Sequence, residues 1–463
     1  MLRGCAVTDS SLIDTLFERM SGFSETGSFW HEGHFVSYSS LLEMVDFFDN
    51  ALADASLASH CPVAVQGDIN PHTMALVLAC IKRRLICIPL GPMPEAQLSR
   101  KLEIVQPEII CRAKVEYGGP RLEMVQFEDV GVTGEMELYQ QVAGAADAGL
   151  VLFSSGTSGD PKAAVHLCTR AFSRFLGKGK SMRTIGFLLF DHWGGLNTIF
   201  HTLFHGGMLI CLADRDPETV CKAIVETAAE LLPVSPSFLN LLIASGCAQR
   251  YDLTSIKLVS YGAETMTDAT LKRTMATFPY ARLKQTYGLI ELGVFPTQSK
   301  GQDSTFFKIK DSVVEHRVRS GMLEIKSPFT MLGYLNAPTP FLDDGWYMTG
   351  DKVLVEDGFM TVQGRVSDII NVGGEKVFPQ EVESVLIDVD GVYDARVFGE
   401  VNFLLGKIVC ADVQVSPNAD VEELESQIKG QAAEVLEPFK IPIKINFKTE
   451  ALVNDRLKKS RRN

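Results

Sequence analysis

Nine consecutive residues, Ser154-Ser155-Gly156-Thr157-Ser158-Gly159-Asp160-Pro161-Lys162, bring together hydroxyls, flexible backbone and one ammonium. They follow an apolar run, 150–153, that reads as a buried strand. A loop of this make-up can wrap a polyphosphate, because backbone N–H groups and hydroxyls approach the oxygens closely while the lysine offsets charge. It is not a Walker A loop. That pattern needs Gly before the Lys and Ser or Thr after it, whereas Pro161 precedes Lys162 and Ala163 follows. Taken alone, the nine residues also read as an ordinary Gly/Ser turn after a strand.

The elements around this loop must hold it in place. The segment 61–67 reads as a strand, Asn70 and Pro71 open a helix running to Arg84, and 85–90 reads as the next strand. The theme recurs: 184–190 as a strand, 196–207 as a helix closed by glycine, 208–212 as a strand, a helix capped by Asp216-Pro217, and 256–260 as a strand. Such alternation predicts a layered α/β domain with largely parallel strands, whose ligands sit where loops leave the strand C-terminal ends. Ser154 would stand at one such end. From about 304 to 363 helical signals fade and alternating patterns predict a β-rich subdomain. After Gly364-Arg365 a compact α+β unit begins, with a helix opened by Pro379, two strands, and a helix from about Val421. The expected architecture is a large domain over 1–365 and a small, mobile lid domain over 366–463, joined by a hinge.

The chain has 463 residues, enough for two or three domains with substantial cores. Its 46% hydrophobic and 22% charged residues are those of a soluble globular protein. No charge-free apolar run is long enough to span a bilayer. Residues 1–20 carry acids within their apolar stretch, unlike a secretory leader, so a cytoplasmic location is expected. A formal net charge of −13 argues against nucleic acid as a partner and requires that any phosphate site be organised locally. The ten cysteines form no C-x-x-C pair and no zinc-like cluster, so free thiols are expected.

Further boxes extend the pattern along the chain. The segment 154–162 resembles the phosphate loop of the adenylate-forming superfamily of acyl-CoA synthetases, nonribosomal-peptide adenylation domains and luciferases. The box 261–265, YGAET, resembles the family segment flanking adenine, which implies a binding role for Gly262, Ala263 and Glu264. The box 285–293, QTYGLIELG, resembles Y-G-x-T-E, implying that Tyr287 stacks on adenine and Glu291 holds Mg²⁺. The segment 321–334 matches the β segment that follows. In 345–351, GWYMTGD, Asp351 takes the place of the carboxylate that binds both ribose hydroxyls, a task for two acceptor oxygens in one plane. The segment 364–383 matches the interdomain hinge. There Arg365 would reach ribose or phosphate, Ser367 would be the pivot, and Gly373-Gly374 would line the thiol's tunnel.

Three departures from the family pattern stand out. Ile290 replaces the usual Thr before Glu291, Ala163 replaces Gly after Lys162, and the closing G-K-[IV]-x-[RK] box is altered. The register adopted sets 455–459 on that box and puts Arg456 at the catalytic Lys position, with Lys458 as the alternative; a solvated basic tail is the plainer reading. The segment 188–197 resembles the acyl pocket. His192 takes the place of a His or aromatic near the substrate carboxylate, with Trp193, Gly194 and Gly195 as the adjoining wall. Phe190-Asp191 resembles the pair that anchors an amino substrate, although an Asp at a strand end is usually a cap. Ser237, Phe238, Tyr261 and Gly288 are further pocket candidates, and His166 fits a family position or simple packing equally.

The resemblance implies ATP- and Mg²⁺-dependent conversion of a small carboxylic acid to an acyl-adenylate. Glu291, Lys162, Arg456 and His192 would serve that chemistry. Transfer would follow to a thiol, either CoA or the pantetheine of a carrier protein acting in trans. The family achieves this by rotating the small domain, so that Gly373-Gly374 replaces the C-terminal cation at the site. Transfer to an amine, activation of an unusual oxyacid or amino substrate, and a catalytically impaired nucleotide-binding protein remain as alternatives.

Overall fold

Three helices of the N-terminal domain begin alike, with a polar cap followed by proline. Asn70, Asp216 and Ser235 precede the helices Pro71–Lys82, Pro217–Thr227 and Pro236–Ala244, and each cap side chain accepts a backbone N–H of the first turn. Each cap contributes about 1 kcal/mol, and proline's fixed φ suits the first helical position. The computed structural model that shows these elements describes residues 10–116, 119–126, 136–154, 161–453 and 459.

Two seven-stranded sheets form the large domain. In the first, Gly149–Ser154, Ile86–Leu90, Pro62–Gln66 and Ile109–Glu116 run parallel, with antiparallel strands added at both edges. In the second, Arg282–Gln285, Leu258–Tyr261, Leu231–Val234, Arg183–Ile185, Met208–Ile210 and Gly27–His31 are parallel, and His34–Ser37 closes the edge as a hairpin. The continuous apolar character of strands such as Ile86–Leu90, buried throughout, is what a sheet covered on both faces requires. The largest core packs the helices Tyr38–Asp54, Pro71–Lys82 and Trp193–Phe204 against the first sheet.

The β-rich segment is a six-stranded antiparallel sheet that includes Met322–Lys326, Tyr347–Glu356 and Phe359–Arg365. The C-terminal α+β domain builds its sheet on the long hairpin of Val392–Asn402 and Gly406–Val415, covered by Pro379–Ile387 and Val421–Val435. Every cysteine among the described residues is free. Among those residues no helix is long and apolar enough to cross a membrane.

One expected strand is cut short. Of the 184–190 run only Thr184 and Ile185 join the sheet, in the strand Arg183–Ile185. At Gly186 the N–H donates to Ile210 O at 2.8 Å, and a Cβ there would meet that oxygen at 2.9 Å. The chain then leaves the ladder, yet Phe187 and Phe190 stay buried. An apolar run records burial, not ladder pairing. The following helix accordingly starts at Trp193 rather than at Leu196.

Candidate active site

Ser154 ends its strand at the C-terminal edge of the parallel run, and Lys162 lies opposite it on the returning strand Lys162–Leu167. Ser155, Gly156, Thr157, Ser158 and Gly159 lie outside the described residues. The Lys162 ammonium sits 5.5 Å from the centroid of the Tyr334 ring. The Tyr334 hydroxyl donates to the Glu291 carboxylate. Tyr347 lies in the same group, near enough to Tyr334 and Glu291 for both to act on its hydroxyl. Burial first, and then the neighbouring Glu291 charge, push both phenols up, so they remain protonated donors. Glu291 itself is buried.

A second arm adjoins this one, near enough for the Glu291 charge to act on Arg365. The Tyr287 hydroxyl donates to Asp351 Oδ2 at 2.6 Å, and Arg365 Nε donates to Asp351 Oδ1 at 3.1 Å. Asp351 and Arg365 are cross-strand partners in the antiparallel sheet, which explains their meeting across 14 residues of sequence. The Tyr287 ring stacks on Phe307 with centroids 5.6 Å apart. Residues scattered from Ser154 to Arg365 are thus gathered into one polar group holding two carboxylates and two cations.

The backbone around the group is tightly set. Gly262 ends beside Thr286, where an added Cβ would lie 2.3 Å from the hydroxyl oxygen, so only glycine fits. Ala263 adopts φ +67°, a left-handed conformation that costs a non-glycine residue about 1 kcal/mol. Gly288 packs on Gly293 O, where a Cβ would lie at 2.5 Å. Tyr261 is buried, and its carbonyl accepts the Thr286 N–H.

The expected acyl-pocket residues divide into two sets. Trp193 is buried, with its ring centroid 5.2 Å from that of His166 in an edge-on arrangement. The His166 ring bonds the backbone of Ile290, and burial drives its pKa down to about 3. It is therefore a neutral anchor for the turn that carries Glu291. Ile290 packs against the large core, which accounts for an apolar residue there. Asp191 is almost inaccessible and lies 3.5 Å from the buried Lys101 ammonium, which also faces the Phe153 ring. His192 precedes the helix Trp193–Phe204 and is 4.0 Å from Asp191, with its side chain partly accessible. Gly194 and Gly195 follow in that helix, and at Gly195 a Cβ would lie 2.0 Å from Leu189 O.

At the interdomain boundary, Ser237 N donates to Glu264 Oε2 at 3.2 Å, and Lys459 N donates to Glu264 Oε1 at 2.7 Å. The Lys459 ammonium is buried, 2.8 Å from Asp394 and 3.8 Å from Glu383. Burial alone would lower its pKa, but the carboxylates outweigh that and the net shift is upward. Arg456 and Lys458 lie outside the described residues. Gly373 and Gly374, both at positive φ, are exposed, with Gly373 N bonded to Leu405 O. Ser367 is exposed and bonds Asp368.

Sequence reasoning passed over Tyr334, Tyr347, Lys101 and Lys459. The two tyrosines fall inside boxes already singled out, at 321–334 and 345–351. Lys459 emerges when 458–462 is set on the G-K-[IV]-x-[RK] box, three residues further along than the register first adopted.

Comparisons with known proteins bear on the whole chain. A family model described as AMP-binding enzyme matches residues 17–335, and one described as AMP-binding enzyme C-terminal domain matches 381–459. Among curated relatives is the medium/long-chain-fatty-acid–[acyl-carrier-protein] ligase FadD10 of Mycobacterium tuberculosis, 27% identical over 90% of this chain and 87% of the relative. The anthranilate CoA ligase AuaEII in complex with anthranoyl-AMP superimposes with a TM-score of 0.79 at 17% identity, over 95% of this chain and 93% of that one. ATP-bound MatB from Rhodopseudomonas palustris does so with a TM-score of 0.76 at 22% identity, over 95% and 96%.

Proposed function

The chain belongs to the AMP-binding enzyme family of acyl-activating ligases, and on that premise we propose that it activates a carboxylic acid with ATP and passes the acyl group from the adenylate to a thiol. The observation that carries this reading is the pairing of Lys162 with the Tyr334–Glu291 arm and of Asp351 with Tyr287 and Arg365, the two arms lying close enough for the Glu291 charge to act on Arg365.

The donor set fits a nucleoside triphosphate. Asp351 offers two coplanar oxygens to a ribose diol, with Tyr287 and Arg365 fixing its orientation. Tyr287 presents its ring to the base. Arg365 and Lys162 meet phosphate charge, and the 154–162 segment wraps the outer phosphates. Glu291, braced by Tyr334 and Tyr347, is the carboxylate that would hold Mg²⁺, a cation that prefers hard oxygen ligands. A bound Mg²⁺ would neutralise phosphate charge as the carboxylate attacks. The remaining work is positioning, since a phosphorus-centred displacement needs alignment and charge stabilisation more than covalent help. His192, partly accessible beside Asp191, borders the acid.

Lys459 is the C-terminal cation of this scheme in place of Arg456. Its backbone docks on Glu264, within the expected adenine segment, and its ammonium, paired with Asp394 and Glu383, stays charged despite burial. The acceptor is a thiol, of CoA or of a carrier's pantetheine, and the carrier-protein ligase among the relatives supports the second. Lys101 neutralises Asp191, which leaves no free carboxylate charge there for a substrate ammonium.

Incubation with ATP, Mg²⁺ and a panel of acids, followed by mass spectrometry with CoA, a pantetheinylated carrier or an amine added, tests the reading. Thioester formation with one of the thiols is expected. Adenylate with amide product only would contradict it.

A further inference from the structure

Specific polar contacts among the described residues join the two domains. Asn240, on the helix Pro236–Ala244, donates through Nδ2 to Asp394 Oδ1 at 3.0 Å. Its own carbonyl oxygen accepts from Thr270 Oγ1 at 2.9 Å, so the amide is fixed at both ends. Asp394 Oδ1 also accepts from Ala395 N at 3.0 Å and lies 2.8 Å from Lys459 Nζ. Asn240, Thr270 and Asp394 are all buried. A second anchor lies nearby. Arg273 donates from Nη1 to Val392 O at 2.8 Å and from Nη2 to Ile387 O at 2.6 Å, the latter at the end of the helix Pro379–Ile387. A guanidinium on a helix's last carbonyls satisfies acceptors that the helix leaves open and complements its dipole. The space left between the domains at Ser237, Asn240, Glu264 and Lys459 is about 10 Å³, room for a single water.

In this arrangement Lys459 N is bonded to Glu264 while Gly373 and Gly374 face solvent. That is the disposition the family resemblance implies for adenylate formation, with the Lys459 backbone on the large domain's Glu264, its ammonium held by Asp394 and Glu383, and the glycine turn out. Hydrogen bonds are directional, so these contacts depend on the angle between the domains. We infer that Asn240, Asp394 and Arg273 are positioning residues for the first half-reaction, a clamp that holds the small domain in the adenylate-forming arrangement and must open before thiol transfer. The inference rests on the two-step reading above. None of the three touches the reacting atoms; they act through the placement of the segment that carries Lys459.

The test uses the full chain with Arg273→Met, which removes two carbonyl contacts at the domain boundary, and Asn240→Ala as an independent second variant. Two readouts are taken. Small-angle scattering of the free proteins reports the domain arrangement without any catalysis. Acid-dependent ATP–pyrophosphate exchange and single-turnover transfer from a supplied acyl-adenylate to thiol report the half-reactions separately. The clamp predicts a scattering profile that moves away from the one computed for this arrangement. It also predicts exchange reduced about 3- to 10-fold with transfer unchanged or faster. Unchanged scattering, or a fall of both half-reactions by the same factor, would overturn it. Should the wild type show no exchange with any acid, the proposed function fails, and scattering alone still decides whether the clamp exists.

Discussion

Tyr287 and Asp351 are joined by a 2.6 Å hydrogen bond between a buried phenol and a buried carboxylate. Burial first, and then the Asp351 charge, raise the Tyr287 pKa, so the phenol stays a donor. A charge-assisted bond of this kind contributes about 1.5–3 kcal/mol. It holds the carboxylate in the plane that a ribose diol would meet. Tyr287→Phe keeps the ring and the Phe307 stacking but frees Asp351 to rotate. Its KM for ATP should rise roughly tenfold, the equivalent of about 1.4 kcal/mol, with little change in melting temperature. A KM within twofold of wild type would mean that Arg365 suffices to orient Asp351.

Charge at Lys162 and Glu291 should matter more. Lys162→Met and Glu291→Gln each remove a group aimed at the phosphates or their cation, and losses of about 10²–10³ in kcat are typical when one preorganised electrostatic contact is deleted. Glu291→Gln should in addition shift the Mg²⁺ concentration for half-maximal exchange upward. Equal losses in the two variants with an unchanged Mg²⁺ requirement would separate Glu291 from the metal.

The basic C-terminus gives an internal contrast. Lys459→Met should depress pyrophosphate exchange strongly, whereas Arg456→Ala should leave it within about threefold, because Lys459 supplies the C-terminal cation in this reading. The reverse pattern would return the catalytic cation to Arg456.

His166 provides a pH signature of folding. Its ring is neutral and buried, with the pKa lowered from 6.5 to about 3. The unfolded chain therefore binds a proton between those values that the native state does not. Stability from this site is fully present above about pH 6.5 and is lost as pH falls toward 3. Between pH 6 and 4.5 the wild type should lose roughly 1 kcal/mol per pH unit more than His166→Leu in denaturant unfolding. Parallel pH profiles would show that the ring protonates freely in the native state.

The Lys101–Asp191 pair should behave as a buried ion pair. Lys101→Met leaves Asp191 charged and buried, a change that typically costs about 3–5 kcal/mol. Adding Asp191→Asn should restore much of the loss. A single variant as stable as wild type would mean that Asp191 is not charged there.

Much of this was legible in the residues. The polar caps at Asn70 and Asp216 announced their helices because the cap chemistry is local, and the continuous apolar strands announced a covered parallel sheet. The boxes containing Tyr287, Glu291, Asp351 and Arg365 were readable as words. The contacts among them were not, because Tyr287 meets Asp351 across a sequence separation of 64. Burial without pairing misled the reading of 184–190, where the chain leaves the sheet at Gly186 while its aromatics stay inside. The C-terminal box admits two registers, one on Arg456 and one on Lys459, because its usual glycine is absent from 454–463 and leaves the basic residues unanchored. The Asn240–Asp394 contact spans 154 positions and belongs to no sequence pattern, so only the fold reveals it.

Acid-dependent exchange of labelled pyrophosphate into ATP tests the central claim most directly. Measured across aliphatic and aromatic carboxylic acids with Mg²⁺, exchange should appear with a subset of acids, require the metal, and disappear in Lys162→Met. Measurable ATP binding with no exchange for any acid would contradict acyl-adenylate formation and leave the chain a nucleotide-binding protein without this chemistry.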